Sequence, residues 1–193
     1  MRYLKQAMLV FCIFAILCGL IYPLFLTALS QFLFPQKANG SIITSGNNAV
    51  GSGLIGQQFN RPKYFHGRPS ATEPAYNASG SAGSNLGPTN AHFLEEVRKR
   101  VEEVRNTNGL PADTPLPADM VLASASGLDP HISVESALLQ VRRIAKERGV
   151  SEIEVEAMVR RHVEQPLLGI WGEPRVNVLK LNLALDSQKM VRR

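Results

Sequence analysis

An α+β chain with a single membrane helix is what this sequence predicts, on three observations. Residues 7–29 are an unbroken apolar run inside a window, Gln6 to Gln36, that holds no charged residue. Residues 38–90 are rich in Gly, Ser, Asn and Pro and leave room only for short strands. Residues 91–164 carry apolar side chains at helical spacing, broken by capping and turn residues. The expectation is one N-terminal transmembrane helix followed by a single exported domain of short strands and about three helices.

The apolar run comes first. A helix rises about 1.5 Å per residue, so about 20 apolar residues cross the ~30 Å hydrocarbon core of a bilayer. Residues 7–29 meet that length, and Pro23 late in the run predicts a kink of the kind bilayer helices tolerate. Arg2 and Lys5 precede the run, and no acidic residue occurs before Glu73. Positive charge beside a span marks its cytoplasmic end. Residues 1–6 are therefore expected inside, 7–29 in the bilayer and 37–193 outside. A cleaved secretory signal is the competing reading, but its apolar region is only about 7–15 residues long. Phe32, Leu33 and Phe34 also carry the apolar run past the small residues Ala28 and Ser30.

In the glycine-rich region, strands are expected at 42–44, 54–59 and 64–65. A helix is expected over 91–105, where Leu94, Val97, Val101 and Val104 recur at spacings of three and four. Its other face pairs Glu95 with Lys99 and Glu96 with Arg100. Residues 106–119 contain three prolines and read as a loop, and 120–123 as a short strand. Ser133 caps a helix to about Arg148, with Ala137, Leu138, Val141, Ile144 and Ala145 on one face and Gly149 as its stop. Ser151 and Glu154 form a capping box for a helix running to about Glu164. Over 176–185, Leu179, Leu181, Leu183 and Leu185 alternate with Lys180 and Asn182, which predicts a half-buried strand.

Composition excludes several classes of function. Lys and Arg number 21 against 16 Asp and Glu, and Arg2 and Lys5 precede the span. The small surplus left is spread over solvated helix faces, so no nucleic-acid partner is expected. Both cysteines, Cys12 and Cys18, lie in the apolar run, so the exported part has neither disulfide nor thiolate metal site. His66, His92, His131 and His162 have no partner histidine at helical spacing, and no metal site is expected.

Three patterns resemble chemistry. Gly51, Gly53 and Gly56 match the GxGxxG dinucleotide fingerprint, which needs a helix opening at its last glycine. Pro62 forbids a long helix there, and Gln57 and Gln58 replace the Lys and Ser/Thr of a phosphate loop, so close packing is the better reading. Residues 126–133, SGLDPHIS, put a hydroxyl, Asp129 and His131 within eight positions, which raises a membrane-anchored hydrolase as an alternative function. The bland reading is a loop into a helix: Gly127 for a tight turn, Asp129 accepting a turn hydrogen bond, Ser133 as cap. Gln140, four residues after Ser136, reads by position as solvent-facing. Trp171, between Gly169 and Gly172, reads equally as core plug or contact anchor.

Five segments in order, 51–59 (GSGLIGQQF), 64–72 (YFHGRPSAT), 76–90, 126–133 (SGLDPHIS) and 172–186 (GEPRVNVLKLNLALD), resemble the C subunit of the bacterial Kdp-type potassium-transporting ATPase. One membrane helix ahead of them fits the same family. The resemblance implies a non-catalytic accessory subunit in the bacterial inner membrane. Its partners are a potassium-binding channel-like subunit and a P-type subunit that hydrolyses ATP; the complex, not this chain, handles ATP and K+, and lipid surrounds the span. The implied role is assembly plus a catalytic-chaperone effect that raises ATP affinity, and the family ties that effect to the position of Gln140. Ordered loops on a rigid scaffold carry binding surfaces. Partner contact is accordingly expected at Asn85, Gly87, Pro88, Asn90, Ser126, Gly127, Asp129, His131, Glu173 and Arg175. A stand-alone binding protein on a stalk is the further alternative.

Orientation is directly testable. A reporter active only outside the cytoplasm, fused after Arg193, is expected to be active; a signal confined to a cytoplasm-only reporter reverses the assignment made from Arg2 and Lys5.

Overall fold

The computed structural model describes residues 2–187; Met1 and the end of the expected exported segment, 188–193, lie outside the described residues. The chain forms two compact units, one up to Ser52 and one from Gly53. The first unit begins with a continuous helix, Arg2–Leu33, long and apolar enough to cross a membrane. It consists of α1 (Arg2–Ile16), a π-turn (Leu17–Ile21) and α2 (Tyr22–Leu33). The π-turn has a local cause. Pro23 lacks an N–H and its ring crowds the carbonyl four residues back, and the wider turn ahead of it relieves both. After a short α3 (Pro35–Ala38), β1 (Ile42–Ser45) and β2 (Asn48–Ser52) form an antiparallel hairpin, turned at Gly46 with φ 60° and bulged between Ile43 and Thr44.

The second unit is built on α4 (Ala91–Asn108), α5 (Val134–Arg148), α6 (Glu152–Arg161) and α7 (Val178–Ser187), with a three-stranded antiparallel sheet. In that sheet β5 (Arg175–Asn177) lies between β3 (His131–Ser133) and β4 (Val163–Glu164). Ile132 and Val163 both pair with Val176 in register. Ile144, Val155, Met158, Val159, Val176, Leu181 and Leu185 join Phe65 in one core, all close to fully buried. The predicted Ser133 cap, Gly149 stop and capping box are present; α4 has a cap and a stop beyond those expected, and it runs past 105 to Asn108. Asn90 and Ser133 accept the N–H groups of Phe93 and Ser136, Ser151 and Glu154 form the capping box, and Gly109 and Gly149 end α4 and α5 in left-handed conformation. The Glu95–Lys99 and Glu96–Arg100 pairs are formed on α4.

Five expected elements differ. Residues 176–185 are not one strand: β5 ends at Asn177, whose Oδ1 accepts the Lys180 N–H at 3.1 Å and starts α7. The alternation of leucines is a coincidence of two periods, since Val178, Leu181 and Leu185 also fall on one helical face. Asn182, expected on a polar face, is buried. The helix expected to reach Glu164 stops at Arg161, because Val163 and Glu164 pair with β5. Residues 120–123 form a 3-10 turn (Ala118–Met120) and its exit instead of a strand.

Residues 54–59 and 64–65 are not strands either, and the second case is informative. The N–H and C=O of Phe65 bond to Asn182 (2.9 and 3.0 Å), and those of His66 to Gln140 (2.8 and 3.2 Å). Two side-chain amides thus do for this strap, residues 62–68, what a neighbouring strand does in a ladder.

Asn182→Ala is expected to lower stability by about 2–4 kcal/mol, because both polar groups of Phe65 lose their partner inside the core. Leu181→Asp is expected to abolish folding, since an unpaired buried carboxylate costs several kcal/mol against a total of about 5–15. Thermal melting of the purified chain, followed by circular dichroism, checks both. On a strand with Asn182 outward the first substitution is neutral.

Candidate functional site

Packing accounts for the second and third glycines of the fingerprint. Asn177 Nδ2 donates to the Gly53 carbonyl at 2.9 Å, and the Gly56 N–H donates to Leu128 O at 2.8 Å. A Cβ on Gly56 would stand 2.6 Å from both Asp129 O and Tyr76 Cε1, and one on Gly67 2.6 Å from the Tyr76 hydroxyl. No helix follows Gly56, so no helix N-terminus faces this loop. Tyr76 is the hub: its hydroxyl donates to Arg68 O at 2.6 Å and its N–H to Ser70 Oγ at 2.9 Å. Burial, reinforced by the Asp129 charge, pushes its phenol up to about 12.

The 126–133 loop locks onto the same hub. Gly127, with φ 65°, lies where a Cβ would stand 2.7 Å from Ala82 O, and its own carbonyl accepts from Ser70 Oγ at 2.7 Å. Asp129 Oδ1 accepts the His131 N–H and Oδ2 accepts from Arg68, both at 3.0 Å. Arg68 in turn donates to the carbonyls of Leu122 and Ala123. The His131 ring stands between two carboxylates, Nδ1 3.6 Å from Asp129 and Nε2 3.4 Å from Glu164. Glu164 also meets Lys180 at 2.7 Å and Arg175 at 3.6 Å. Burial raises the Glu164 carboxyl, and the Lys180 hydrogen bond with the surrounding positive charge outweighs it, so the net shift is downward.

Asp129, His131, Glu173 and Arg175 therefore line one groove of about 580 Å³. Asn85, Gly87, Pro88 and Asn90 do not line it; they form the exposed turn into α4, with Asn85 at φ 52°. Ser126 is exposed beside the groove, whereas Gly127 is buried under loop 81–83. The hydroxyls needed for a hydrolase point elsewhere. Ser133 Oγ caps α5 and donates to Asp119, and Ser126 Oγ accepts the Leu128 N–H. His131 is engaged by carboxylates instead. Among the described residues no three His, Cys, Asp or Glu side chains converge as metal ligands would.

Gln140 corrects the expectation of a solvent-facing side chain: it is 2% exposed. Its Oε1 accepts from His66 N and Arg143 Nη2, each at 2.8 Å, and its Nε2 donates to His66 O and Ser136 O, each at 3.2 Å. All four amide positions are used within the chain. Arg143 extends the network to Asn108 Oδ1 and to the carbonyls of Pro62 and Tyr64, and burial lowers its guanidinium to about 10. Asp119 accepts from Ser133 and from Ser136, the latter at 2.6 Å. Composition and motif reading passed over Asp119, Ser136 and Arg143. The available signal was the spacing of Ser136, Gln140 and Arg143, a polar stripe beside the apolar one on α5.

Comparison with known proteins now separates a scaffold from a family. The description "KdpC: K+-transporting ATPase, c chain" matches residues 4–187, from the membrane helix to the end of α7. This chain belongs to that family. It is 51% identical over 189 residues to the Potassium-transporting ATPase KdpC subunit of Geobacter sulfurreducens, covering 97% of this chain and 98% of that one. The proteins of the same name from Methylococcus capsulatus and Sorangium cellulosum are each 50% identical, over 96% and 98% of this chain and 98% and 100% of their own lengths. Family membership thus takes in both units, hub and groove together.

Acid tests the hub. Burial raises the Asp129 carboxyl, but the His131 and Arg68 hydrogen bonds outweigh it and hold it at about 2. A depressed carboxylate stabilises the fold above its unfolded value, about 4, and that contribution is lost as pH falls towards 2. With partial solvent screening, Asp129→Asn is expected to remove about 1–2 kcal/mol at neutral pH and to flatten the loss of stability between about pH 4 and 2. Urea unfolding of the two proteins across that range measures it.

Proposed function

We propose that this chain is the accessory, non-catalytic subunit of an ATP-driven high-affinity potassium uptake pump. Its helix holds it in the membrane, and its second unit, on the extracytoplasmic side, contacts a potassium-binding channel-like subunit and a P-type ATP-hydrolysing subunit. The observation that carries this reading is the full-length family match, membrane helix included. The groove at Asp129, His131, Glu173 and Arg175 supports partner contact because it carries charges of both signs, with Asp129, His131 and Arg175 held in place by ion pairs and sheet register. The exposed turn at Asn85, Gly87, Pro88 and Asn90 is a second contact, anchored by the Asn90 cap.

In this reading ATP affinity is raised indirectly. With residues after 37 outside, the chain does not reach cytoplasmic nucleotide, and its effect is a coupling free energy passed through the partner subunits. Gln140 acts as a positioning residue: its amide is consumed in pinning the strap to α5, so a substitution there alters the surface the strap supports.

Deleting the gene is expected to abolish growth at micromolar potassium and spare growth at high potassium. A tagged wild-type chain extracted in mild detergent is expected to bring both larger subunits with it. Unchanged high-affinity uptake in the deletion strain rejects the reading.

A further inference from the structure

The turn between β4 and β5 exposes apolar surface where the rest of the second unit buries it. Leu167, Leu168, Ile170 and Trp171 are 69%, 76%, 76% and 64% exposed. The other large apolar residues exposed among the described residues of this unit, Leu54, Leu86, Leu94 and Ile153, stand singly along the chain. An apolar cluster of this kind on a folded surface marks an interaction site.

The turn is also held in one shape. The Leu167 N–H donates to Trp171 O at 2.9 Å and the Trp171 N–H to Leu167 O at 3.1 Å; inside this closure Gly169 N–H bonds Pro166 O at 3.0 Å. Leu168, Gly169 and Gly172 have φ of 54°, 73° and 97°. The glycines suit that region, but leucine does not. Leu168 thus holds a disfavoured backbone and a water-exposed side chain together. A preformed turn loses little entropy on docking, and tryptophan is the residue most enriched at the energetic centre of protein interfaces.

The rim selects the kind of partner. The turn is flanked by Glu164 and Glu173 on one side of the charge balance and by Arg175 and Lys180 on the other, with Glu164 paired to Lys180 and Arg175. A loop built for a bilayer surface carries a basic rim to match anionic headgroups, and two carboxylates beside the apolar tip work against that. An apolar centre inside a mixed-sign polar ring is the pattern of a protein–protein hot spot. Glu173 and Arg175 also line the groove with Asp129 and His131, so the turn continues that surface.

We propose that residues 167–171 form a hook that inserts into an apolar socket, rimmed by complementary charges of both signs, on another subunit of the pump; this rests on the pump reading above. A photo-crosslinking amino acid in place of Ile170, in the full chain expressed with the whole pump in native membranes, is expected to link to another pump subunit. Leu168→Asp and Trp171→Asp are expected to reduce recovery of the complex on a tagged chain by about ten-fold or more while the chain melts as wild type does. Leu168→Gly separates shape from contact: it keeps the turn and relieves the backbone, so the chain is expected to melt higher while recovery still falls. Cross-links only to lipid or to a second copy of this chain, or wild-type recovery by all three variants, overturn the hook. If the wild-type chain itself recovers no other subunit, the pump reading fails and takes the hook with it.

Discussion

Phe65 and His66 run through the second unit with no strand beside them, yet each has its N–H and C=O bonded to one side-chain amide, from Asn182 of α7 and Gln140 of α5. Most of the second unit depends on that arrangement. Backbone polar groups buried without partners each cost on the order of 1–3 kcal/mol, and Phe65 is fully buried. The amides remove that penalty and fix the register of the strap against two helices at once. Arg143 adds the carbonyls of Pro62 and Tyr64, and Arg148 adds that of Lys63 at 2.8 Å. A short irregular segment becomes as well determined as a sheet strand.

From the strap, order passes to the surface. Arg68 at its end meets Asp129, Asp129 holds the turn into His131, and His131 opens β3. β3 pairs with β5, and β5 with β4, so Glu164 arrives opposite Arg175 and beside the imidazole. The groove is assembled from four sequence-distant segments whose mutual position is set by hydrogen bonds and by glycines that admit Tyr76 and Ala82. Asp129, His131 and Arg175 in it are engaged with oppositely charged neighbours. Such an arrangement suits the recognition and orientation of a partner proposed above.

That arrangement matters for the proposed indirect effect on ATP affinity. Coupling between distant sites requires an element whose arrangement both sites bias. Gln140 and Arg143 sit under the strap, the strap supports Arg68, and Arg68 reaches the groove. Gln140 and the groove are thus linked through the strap by a path of hydrogen bonds, the path along which the proposed effect of a change at Gln140 would travel.

The sequence by itself determined the apolar N-terminal helix, the start of α4, the cap and extent of α5, the start of α6, the poverty of regular structure in 38–90 and the family, because each is local: apolar length, side-chain oxygens at N-caps, glycine past helix ends, and ordered motifs. The glycine fingerprint was also legible as packing, since Pro62 and the missing lysine speak against phosphate without any fold in view. Only the tertiary structure decided the rest. Alternating leucines over 176–185 suit a strand and a helix alike, and Asn177 capping α7 with Asn182 turned inward settled the choice. Gln140 reads as a surface residue until a strap with unpaired backbone groups lies across it. Trp171 reads as plug or anchor until the turn closes and leaves it exposed. In each case the deciding partner is far away in sequence, and a period of two or of 3.6 carries no information about what will pack against it.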